Sequence, residues 1–286
     1  MILNCKDIRD KEIEKIKKEE DLKGCKVEFI QVGENQASDV YVKNKIKLCE
    51  ELGLEVIHTK FIGSISEDLL VEYIKNVNTN NKIHGVMVQL PLPDHINEEK
   101  IINSISPLKD IDGFTYINKG KLMVGDETGI IPCTPAGIMD IIDYIGEDVK
   151  GKEITIVGRS NIVGKPLAQL LINRGATVTV CNSSTPKNTL AKHIANSDIF
   201  ISAIGQANYF DVGFFRTYLD CGMMTRIAVD VGINRDENGK LCGDISRNMY
   251  NEFEVITPVP GGVGIMTVLN VIKNTIKCYK LQRELK

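Results

Sequence analysis

The sequence has 286 residues, of which 43% are hydrophobic and 26% charged, and its formal net charge at pH 7 is -3. This composition indicates a globular protein long enough for two hydrophobic cores, and the charge argues against a general nucleic-acid binder. The sequence contains no apolar run of about 18 residues, so we expect no membrane span. Eight dispersed cysteines without a CxxC pair and four scattered histidines predict reduced thiols, a cytoplasmic location and no metal site.

Short apolar runs alternate with helical patterns along nearly the whole chain. The first series comprises strand 25–33, helix 38–53, strand 54–61, helix 66–78 and strand 84–93. The second series comprises helix 135–145, strand 153–157, helix 163–174, strand 176–181, helix 187–196, strand 198–203 and strand 226–231. Such alternation predicts an α/β fold with parallel sheets covered by helices on both faces.

A stretch rich in glycine, proline and aspartate, 106–135, separates the two series and is interpreted as a domain junction. We therefore predict one α/β/α domain over 1–120 and a second α/β domain over 121–264. A last helix, within 265–286, follows a second loop rich in glycine and proline. We expect this helix to pack back on the first domain.

The helix predicted over 38–53 carries three lysines, which its periodicity separates. Lys43 and Lys47 fall on the solvent face, whereas Tyr41 and Lys45 lie one turn apart beside the apolar stripe. A lysine partly withdrawn from water can have its pKa lowered, which suits it for proton transfer near neutral pH. The alternative is a lysine whose stem covers the edge of the core while its amine reaches water.

Polar residues follow the strand predicted over 84–93. Gln89 lies near the carboxyl end of this strand, where α/β sheets bind ligands, although a buried amide serving the proline loop is the alternative. Asp110 and Asp112 could form a turn with Gly113 in the left-handed region. One of them could equally accept hydrogen bonds from the N–H groups of a heterocycle, whereas a metal pair would need a histidine or a third carboxylate.

The segment ITIVGRSNIVGKPL, residues 154–167, is typical of a strand, a glycine-containing turn and a helix. Gly158 permits the tight turn, and Gly164 permits close approach of the helix to the strand. The N–H groups between them lie at a helix N-terminus, where phosphate is favoured. The segment predicts a Rossmann-type dinucleotide site, although Ser160 replaces the expected second glycine and a turn without a ligand would look similar.

The next strand bears on which dinucleotide is bound. It ends TVTVCNSST, residues 177–185, without the carboxylate that an NAD site usually places there. Arg159 and Ser183 would instead suit a 2′-phosphate, because a guanidinium pairs well with phosphate. The sequence therefore indicates NADP rather than NAD, with a solvated surface arginine as the alternative.

Seven segments, in order and spacing, resemble the bifunctional methylenetetrahydrofolate dehydrogenase/methenyltetrahydrofolate cyclohydrolase family. They are YVKNK (41–45), GVMVQLPLP (85–93), KDIDGF (109–114), PCTPAGI (132–138), VGRSNIVGKP (157–166), DVGIN (230–234) and TPVPGGVGIMT (257–267). The resemblance extends from about residue 25 to residue 280.

The resemblance implies a two-domain α/β fold with an N-terminal α/β/α folate domain, a Rossmann-type doubly wound NADP-binding domain and a cleft between them. It implies NADP-dependent oxidation of 5,10-methylenetetrahydrofolate to 5,10-methenyltetrahydrofolate, followed by hydrolysis to 10-formyltetrahydrofolate. It also implies a homodimer and a role in one-carbon metabolism, including purine, methionine and histidine biosynthesis.

Carried onto this sequence, the resemblance gives each candidate residue a role. Tyr41 would stack on the aminobenzoate of the folate, Lys45 would be the catalytic lysine with Gln89 bonded beside it, and Asp112 would hold the pterin. The loop at 260–264 would border the folate. The residues that would line the NADP site are Gly158, Arg159, Ser160, Ser183 and Ile233.

The sequence departs from the family pattern in three places. Ile265 stands where the family usually has proline before Met-Thr. The segment 205–226 lacks the usual proline after Gly-Gln and aligns poorly, and the first twenty residues carry little family signal.

Two other functions are compatible with parts of the sequence. An NADP oxidoreductase acting on a small hydroxy or keto acid would need a catalytic histidine or arginine near the nicotinamide, and no such pair is evident. A nucleotide-sensing protein without catalysis is disfavoured by the intact set Tyr41, Lys45, Gln89 and Asp112.

Overall fold

The computed structural model describes residues 1–219, 222 and 224–284, and the chain divides into two compact units. The three-stranded unit comprises Ile13–Cys133 and Val268–Lys286. The five-stranded unit comprises Met1–Glu12 and Thr134–Thr267. The predicted domain boundaries, 1–120, 121–264 and 265–286, remain a prediction.

Helices and strands largely alternate in both units, and all strand pairs in the described residues are parallel except one short antiparallel pair, Asn234–Arg235 with Leu241–Cys242. The α-helices are α1 Cys5–Glu19, α2 Gln36–Glu51, α3 Glu67–Thr79, α4 Glu98–Ser104, α5 Tyr116–Met123, α6 Cys133–Tyr144, α7 Gly164–Asn173, α8 Lys187–Ala195, α9 Val212–Tyr218 and α10 Val263–Glu284. The strands are β1 Lys26–Val32, β2 Glu55–Phe61, β3 Gly85–Val88, β4 Glu153–Val157, β5 Thr177–Cys181, β6 Ile199–Ser202, β7 Ile227–Asp230, β8 Asn234–Arg235, β9 Leu241–Cys242 and β10 Val255–Ile256. A 3-10 helix spans Arg247–Glu252.

The three-stranded unit is built on a parallel sheet of order β2-β1-β3. The central strand β1, KVEFIQV, is buried at every position after Lys26, as expected when both faces of a parallel sheet are covered. Ser66 is the N-cap of helix α3, and its hydroxyl accepts a hydrogen bond from Leu69 N. Acidic residues in the first turn interact favourably with the positive end of the helix dipole. Its apolar face joins β1 and β3 in one core.

The five-stranded unit contains a parallel sheet of order β10-β7-β6-β4-β5. The chain leaves β4 to form β5 on one side and then returns to form β6 on the other side. Where the connections from adjacent strands run in opposite directions, a doubly wound sheet has a topological switch point, and ligands bind there. In this sheet the switch point lies at the carboxyl end of β4. The predicted α/β class with parallel sheets and a Rossmann-type unit is confirmed.

Several helices were not predicted from the sequence. Helix α1 is mostly charged, so its apolar positions give a weak signal, whereas α4 and α5 are short. The strand predicted over 84–93 is shorter in the structure and ends at Val88. Prolines at 91 and 93 lack the N–H group that a strand needs to continue its ladder.

The segment 205–226, which aligns poorly with the family, contains helix α9. Asp211 caps this helix by accepting a hydrogen bond from Phe214 N at 2.6 Å. Phe210 forms an isolated bridge with Ile245 and packs among aromatic rings that fill the core behind β6. The structure therefore defines the fold of this segment except at 220, 221 and 223, which lie outside the described residues.

Across the described ranges, no helix is long and apolar enough to cross a membrane. The same ranges contain no group of three or more His, Cys, Asp or Glu residues that could hold a metal ion. The cysteines described, seven of the eight, all carry free thiols.

Candidate active site

A buried amine lies at the carboxyl edge of the three-stranded sheet. Helix α2 carries Lys45 on its inner side, where the residue is only 8% exposed. The Lys45 Nζ donates a hydrogen bond to Gln89 Oε1 at 3.1 Å and contacts Met87 Sδ at 3.3 Å. The side chain is therefore largely buried, and its amine is held by groups at the end of β3.

Gln89 is oriented by its own surroundings. Its backbone N–H donates to Ile30 O at 2.8 Å, continuing the pairing of β1 with β3 by one residue. Its side-chain Nε2 donates to Leu90 O at 2.6 Å. Because the amide nitrogen is occupied there, the amide oxygen is turned toward Lys45, so Gln89 serves both the proline loop and the lysine.

The structure distinguishes Asp110 from Asp112, which the sequence alone could not do. Asp110 is buried, and its carboxylate accepts hydrogen bonds from the backbone N–H groups of Gly113, Phe114 and Thr115 and from Asn118 Nδ2. Gly113 has φ of +72°, the left-handed conformation expected for this turn. Asp110 is therefore the turn-forming residue, which leaves Asp112 available for a ligand.

Asp112 is half-buried, and its carboxyl interacts electrostatically with Lys45. Burial raises its pKa to about 7, with the Lys45 charge opposing that rise and the Asp110 charge adding to it. A carboxyl with this pKa changes its charge near neutral pH, which makes it a candidate functional group.

Tyr41 lies on α2 one turn before Lys45, on the same side of the helix. It is half-buried, and burial raises the pKa of its phenol, so the ring remains neutral at physiological pH. The stacking role of Tyr41 remains a prediction.

Asn274, which sequence reasoning did not single out, supports the loop around Asp112. From α10 its Nδ2 lies 2.9 Å from Ile111 O, 2.8 Å from Ile131 O and 3.4 Å from Cys133 Sγ. The Cys133 thiol donates to Ile111 O, and burial raises its pKa well above the ordinary value, so it stays protonated. No local sequence signal links these residues, which are far apart along the chain.

The turn after β4 in the five-stranded unit is shaped for close approach of a ligand. Gly158 has φ of +128°, and a Cβ there would lie 2.3 Å from Ala203 O. A Cβ at Gly164 would lie 2.1 Å from Gly158 O. Only glycine fits both positions, and the turn leads directly into the start of α7, the kind of position at which helices bind phosphate.

The other predicted NADP residues lie along the same edge. Val157 and Cys181 are partners in the β4–β5 register, so Arg159 and Ser183 each lie two residues beyond adjacent strand ends. Both are exposed, and within the described residues no hydrogen bond or ion pair engages the Arg159 guanidinium. Ser160 has a local role as well, since its hydroxyl accepts from Val163 N at 3.1 Å and Gly164 N at 3.4 Å.

Ile233 follows β7 at the carboxyl edge of the same sheet and is about half exposed. Gly264, in the first turn of α10, lies close to its Cδ1 atom. Ile265, which departs from the family pattern, donates its N–H to Gly262 O at 3.1 Å, a bond that a proline could not make.

The fold and these residues define a two-domain α/β enzyme that carries a buried lysine–amide site and a dinucleotide-binding sheet. The family model described as tetrahydrofolate dehydrogenase/cyclohydrolase, catalytic domain, matches residues 3–112, and the model of the NAD(P)-binding domain of the same enzymes matches residues 132–283. The chain belongs to the tetrahydrofolate dehydrogenase/cyclohydrolase family. The resemblance found from the seven segments is confirmed, as is the prediction of a bifunctional enzyme.

Individual relatives agree with the family match. The chain is 42% identical over 271 residues to the bifunctional protein FolD of Bacillus subtilis, covering 94% of this chain and 92% of that protein. The Campylobacter jejuni FolD structure superposes with a TM-score of 0.91 at 39% identity, covering 98% of this chain and 99% of that one. The Trypanosoma brucei enzyme, solved with NADP and an inhibitor, gives a TM-score of 0.84 at 29% identity, covering 100% and 98%.

Proposed function

We propose that Lys45, Gln89, Tyr41 and Asp112 form the folate site at which both reactions of this enzyme occur. The chain oxidises 5,10-methylenetetrahydrofolate to 5,10-methenyltetrahydrofolate with NADP and hydrolyses that product to 10-formyltetrahydrofolate. The observation that supports the site is the buried Lys45 amine bonded to Gln89 Oε1, because the hydrolysis needs a positioned group that moves protons.

Lys45 acts in the hydrolytic reaction. Water adds to the methenyl carbon, and the adduct loses a proton from the added oxygen. As the bond from that carbon to N5 breaks, the remaining hydroxyl proton leaves the oxygen and N5 takes up a proton, so the formyl group remains on N10 and one proton is released overall. These proton movements occur around one carbon, so a single amine in contact with it serves as base toward the added oxygen and then as acid toward N5, while Gln89 Oε1 fixes the direction of the amine.

Asp112 and Tyr41 bind the substrate in this proposal. An ionised Asp112 carboxylate accepts hydrogen bonds from the N–H donors of the pterin, and its location beside Lys45 brings the reacting end of the folate to the amine. Tyr41 stacks on the aminobenzoate, since it lies one helical turn from Lys45 with its ring half-buried.

The residues of the second site fit NADP. NADP, when bound, would supply the hydride acceptor for oxidation of the methylene carbon. Backbone N–H groups of the Gly158–Gly164 turn would hold the pyrophosphate, Ser160 closes that turn, and Arg159 with Ser183 would bind the 2′-phosphate. Ile233 lines the nicotinamide end of the site.

We propose in addition that the chain is a cytoplasmic homodimer in one-carbon metabolism and supplies one-carbon units for purine, methionine and histidine biosynthesis. The support for this is the family resemblance. Sedimentation equilibrium tests the assembly. A dimer gives twice the chain mass of 31.8 kDa, whereas a single species at the mass of one chain contradicts the proposal.

The folate site is tested by Gln89→Leu with 5,10-methenyltetrahydrofolate supplied directly. Loss of the amide oxygen leaves the amine undirected, and a hydrogen bond to a charged group contributes about 1.5–3 kcal/mol. We expect hydrolysis to slow by roughly tenfold or more with little change in folate affinity. Unchanged hydrolysis would contradict the role of Gln89.

A further inference from the structure

Two aspartates that the proposed reactions do not use lie at the carboxyl edge of the five-stranded sheet. Asp230 ends β7 and Asp244 follows β9, and both are 0% exposed. In the sheet register Val157, Ser202 and Asp230 are neighbours, so the last residues of β4, β6 and β7 lie side by side. The two carboxyl groups are therefore at the edge that carries the dinucleotide turn.

The Asp244 carboxylate gathers four hydrogen-bond donors from two loops. Its Oδ2 accepts from Ser202 Oγ at 2.9 Å and from Ile204 N at 2.8 Å. Its Oδ1 accepts from Gln206 N at 2.9 Å and from Asn234 Nδ2 at 3.0 Å. One side chain thus ties the loop after β6 to the loop after β7.

Asp230 in turn accepts hydrogen bonds from the backbone around Asp244. Its Oδ1 accepts from Gly232 N and from Asp244 N, each at 3.0 Å, and its Oδ2 accepts from Ile245 N at 2.8 Å. Burial raises the pKa of Asp230 to about 7, and the Asp244 charge adds to that rise. The two carboxyl groups form one interlocked unit, the aspartate brace, consisting of Asp230 and Asp244.

Glycines allow the brace to pack this tightly. A Cβ at Gly232 would lie 2.1 Å from Asp244 Oδ1, and a Cβ at Gly243 would lie 1.9 Å from Asp230 Oδ2. Any side chain at either position would displace a carboxylate. The backbone on both loops is therefore built around these two groups.

The brace fixes the chain on both sides of Ile233. The preceding residue, Gly232, donates its N–H to Asp230, and the following residue, Asn234, donates its side-chain amide to Asp244. The loop after β6 also abuts the dinucleotide turn, since the missing Cβ of Gly158 faces Ala203 O at 2.3 Å.

We infer that Asp244 is a positioning residue for the dinucleotide, which acts by holding the loops 203–206 and 232–234 against the cofactor. The inference rests on the proposed function, because it uses the assignment of Ile233 to the NADP site. Hydrolysis of methenyltetrahydrofolate needs no cofactor, so Asp244 affects the dehydrogenase and leaves the cyclohydrolase intact.

The test is Asp244→Asn in the full chain, with both activities measured separately. Asparagine has one acceptor oxygen, so two of the four donors would face its NH2 group. We expect the KM for NADP to rise tenfold or more, while turnover of directly supplied methenyltetrahydrofolate stays within twofold. A parallel loss of both activities would show a merely structural role and overturn the inference, as would an unchanged KM for NADP.

Two further variants distinguish a specific effect on NADP binding from a folding defect. Ser202→Ala removes one of the four donors and should raise the KM for NADP by a few-fold. Asp211→Ala is the matched control, because it removes the α9 cap in the same unit without touching the brace. We expect it to lower the melting temperature and leave the KM for NADP unchanged. If Asp244→Asn does not fold, an unchanged KM for NADP in Ser202→Ala overturns the inference.

The Ile233 assignment is tested independently with Ile233→Ala. If this variant leaves the KM for NADP unchanged while Asp244→Asn raises it, the assignment of Ile233 is wrong and the brace acts on the cofactor through the loop 203–206. If Ile233→Ala raises the KM and neither Asp244→Asn nor Ser202→Ala does so, the brace is not a positioning device.

Discussion

Replacement of Lys45 by methionine isolates the contribution of its amine. Methionine keeps an unbranched chain of similar length, so the packing beside the apolar stripe of α2 is retained. The change removes the Nζ contacts at 3.1 Å to Gln89 Oε1 and at 3.3 Å to Met87 Sδ. It leaves Gln89 anchored through its Nε2 bond to Leu90 O, so the folate site keeps its shape.

The expected loss is that of a general acid–base group. Such groups contribute about 10²–10⁴-fold to a reaction rate, which corresponds to about 2.7–5.4 kcal/mol of transition-state stabilisation. The hydride-transfer reaction moves no proton at this carbon, so it should slow much less. The ratio of cyclohydrolase to dehydrogenase activity should therefore fall sharply in Lys45→Met.

The assay follows decay of the methenyl absorbance band after direct addition of 5,10-methenyltetrahydrofolate. Lys43→Met is the matched control, since Lys43 lies on the exposed face of the same helix and should leave both activities unchanged. If Lys45→Met hydrolyses methenyltetrahydrofolate at the rate of the parent chain, the catalytic role of Lys45 is wrong.

Three other variants test the remaining parts of the site. Because burial places the pKa of Asp112 at about 7 and pterin N–H groups need its ionised form, the KM for methylenetetrahydrofolate should fall as pH rises through neutrality, and Asp112→Asn should flatten that profile. In Lys45→Met the midpoint of this KM–pH profile should move to higher pH, because the lysine charge that lowers the Asp112 pKa is lost. A midpoint that stays in place or moves to lower pH would contradict an electrostatic interaction between Lys45 and Asp112. Arg159→Ala should raise the KM for NADP about tenfold or more while leaving that for NAD unchanged, and equal effects on both would refute the 2′-phosphate contact. Gly158→Ala places a Cβ 2.3 Å from Ala203 O, so dehydrogenase activity should disappear while hydrolysis of added methenyltetrahydrofolate persists; NADP kinetics like those of the parent chain would contradict this.

Periodic patterns were sufficient to predict the longer strands and most of the longer helices. The buried strands and amphipathic helices of both units fall where apolar runs and turn residues predict them. Helix α1 was missed because its charged residues outnumber its apolar ones. Helix α9 was missed because its aromatic residues give a signal that fits strands as well as helices.

The candidate site was only partly predictable. Helical spacing placed Tyr41 and Lys45 together, but the choice between a solvated and a buried lysine amine depended on Gln89, which is distant in sequence. The two aspartates of KDIDGF are distinguished by the hydrogen bonds that Asp110 accepts, and these form only in the folded turn.

The aspartate brace could not be predicted because its carboxylates bind donors that come together only in the folded loops. Their only sequence trace is a glycine near each carboxylate, at Gly232 and Gly243. Glycine close to aspartate is common in turns, so the pattern gains meaning only from the way in which the loops surround the carboxylates.

The most direct test is a time course with the purified chain, 5,10-methylenetetrahydrofolate and NADP, run in parallel for the parent chain and for Lys45→Met. In the parent chain we expect the absorbance of reduced cofactor to rise while the methenyl band stays low, and in Lys45→Met we expect the methenyl band to accumulate. Absence of cofactor reduction with NADP, or a methenyl band that accumulates equally in the parent chain and in Lys45→Met, would contradict the proposed function.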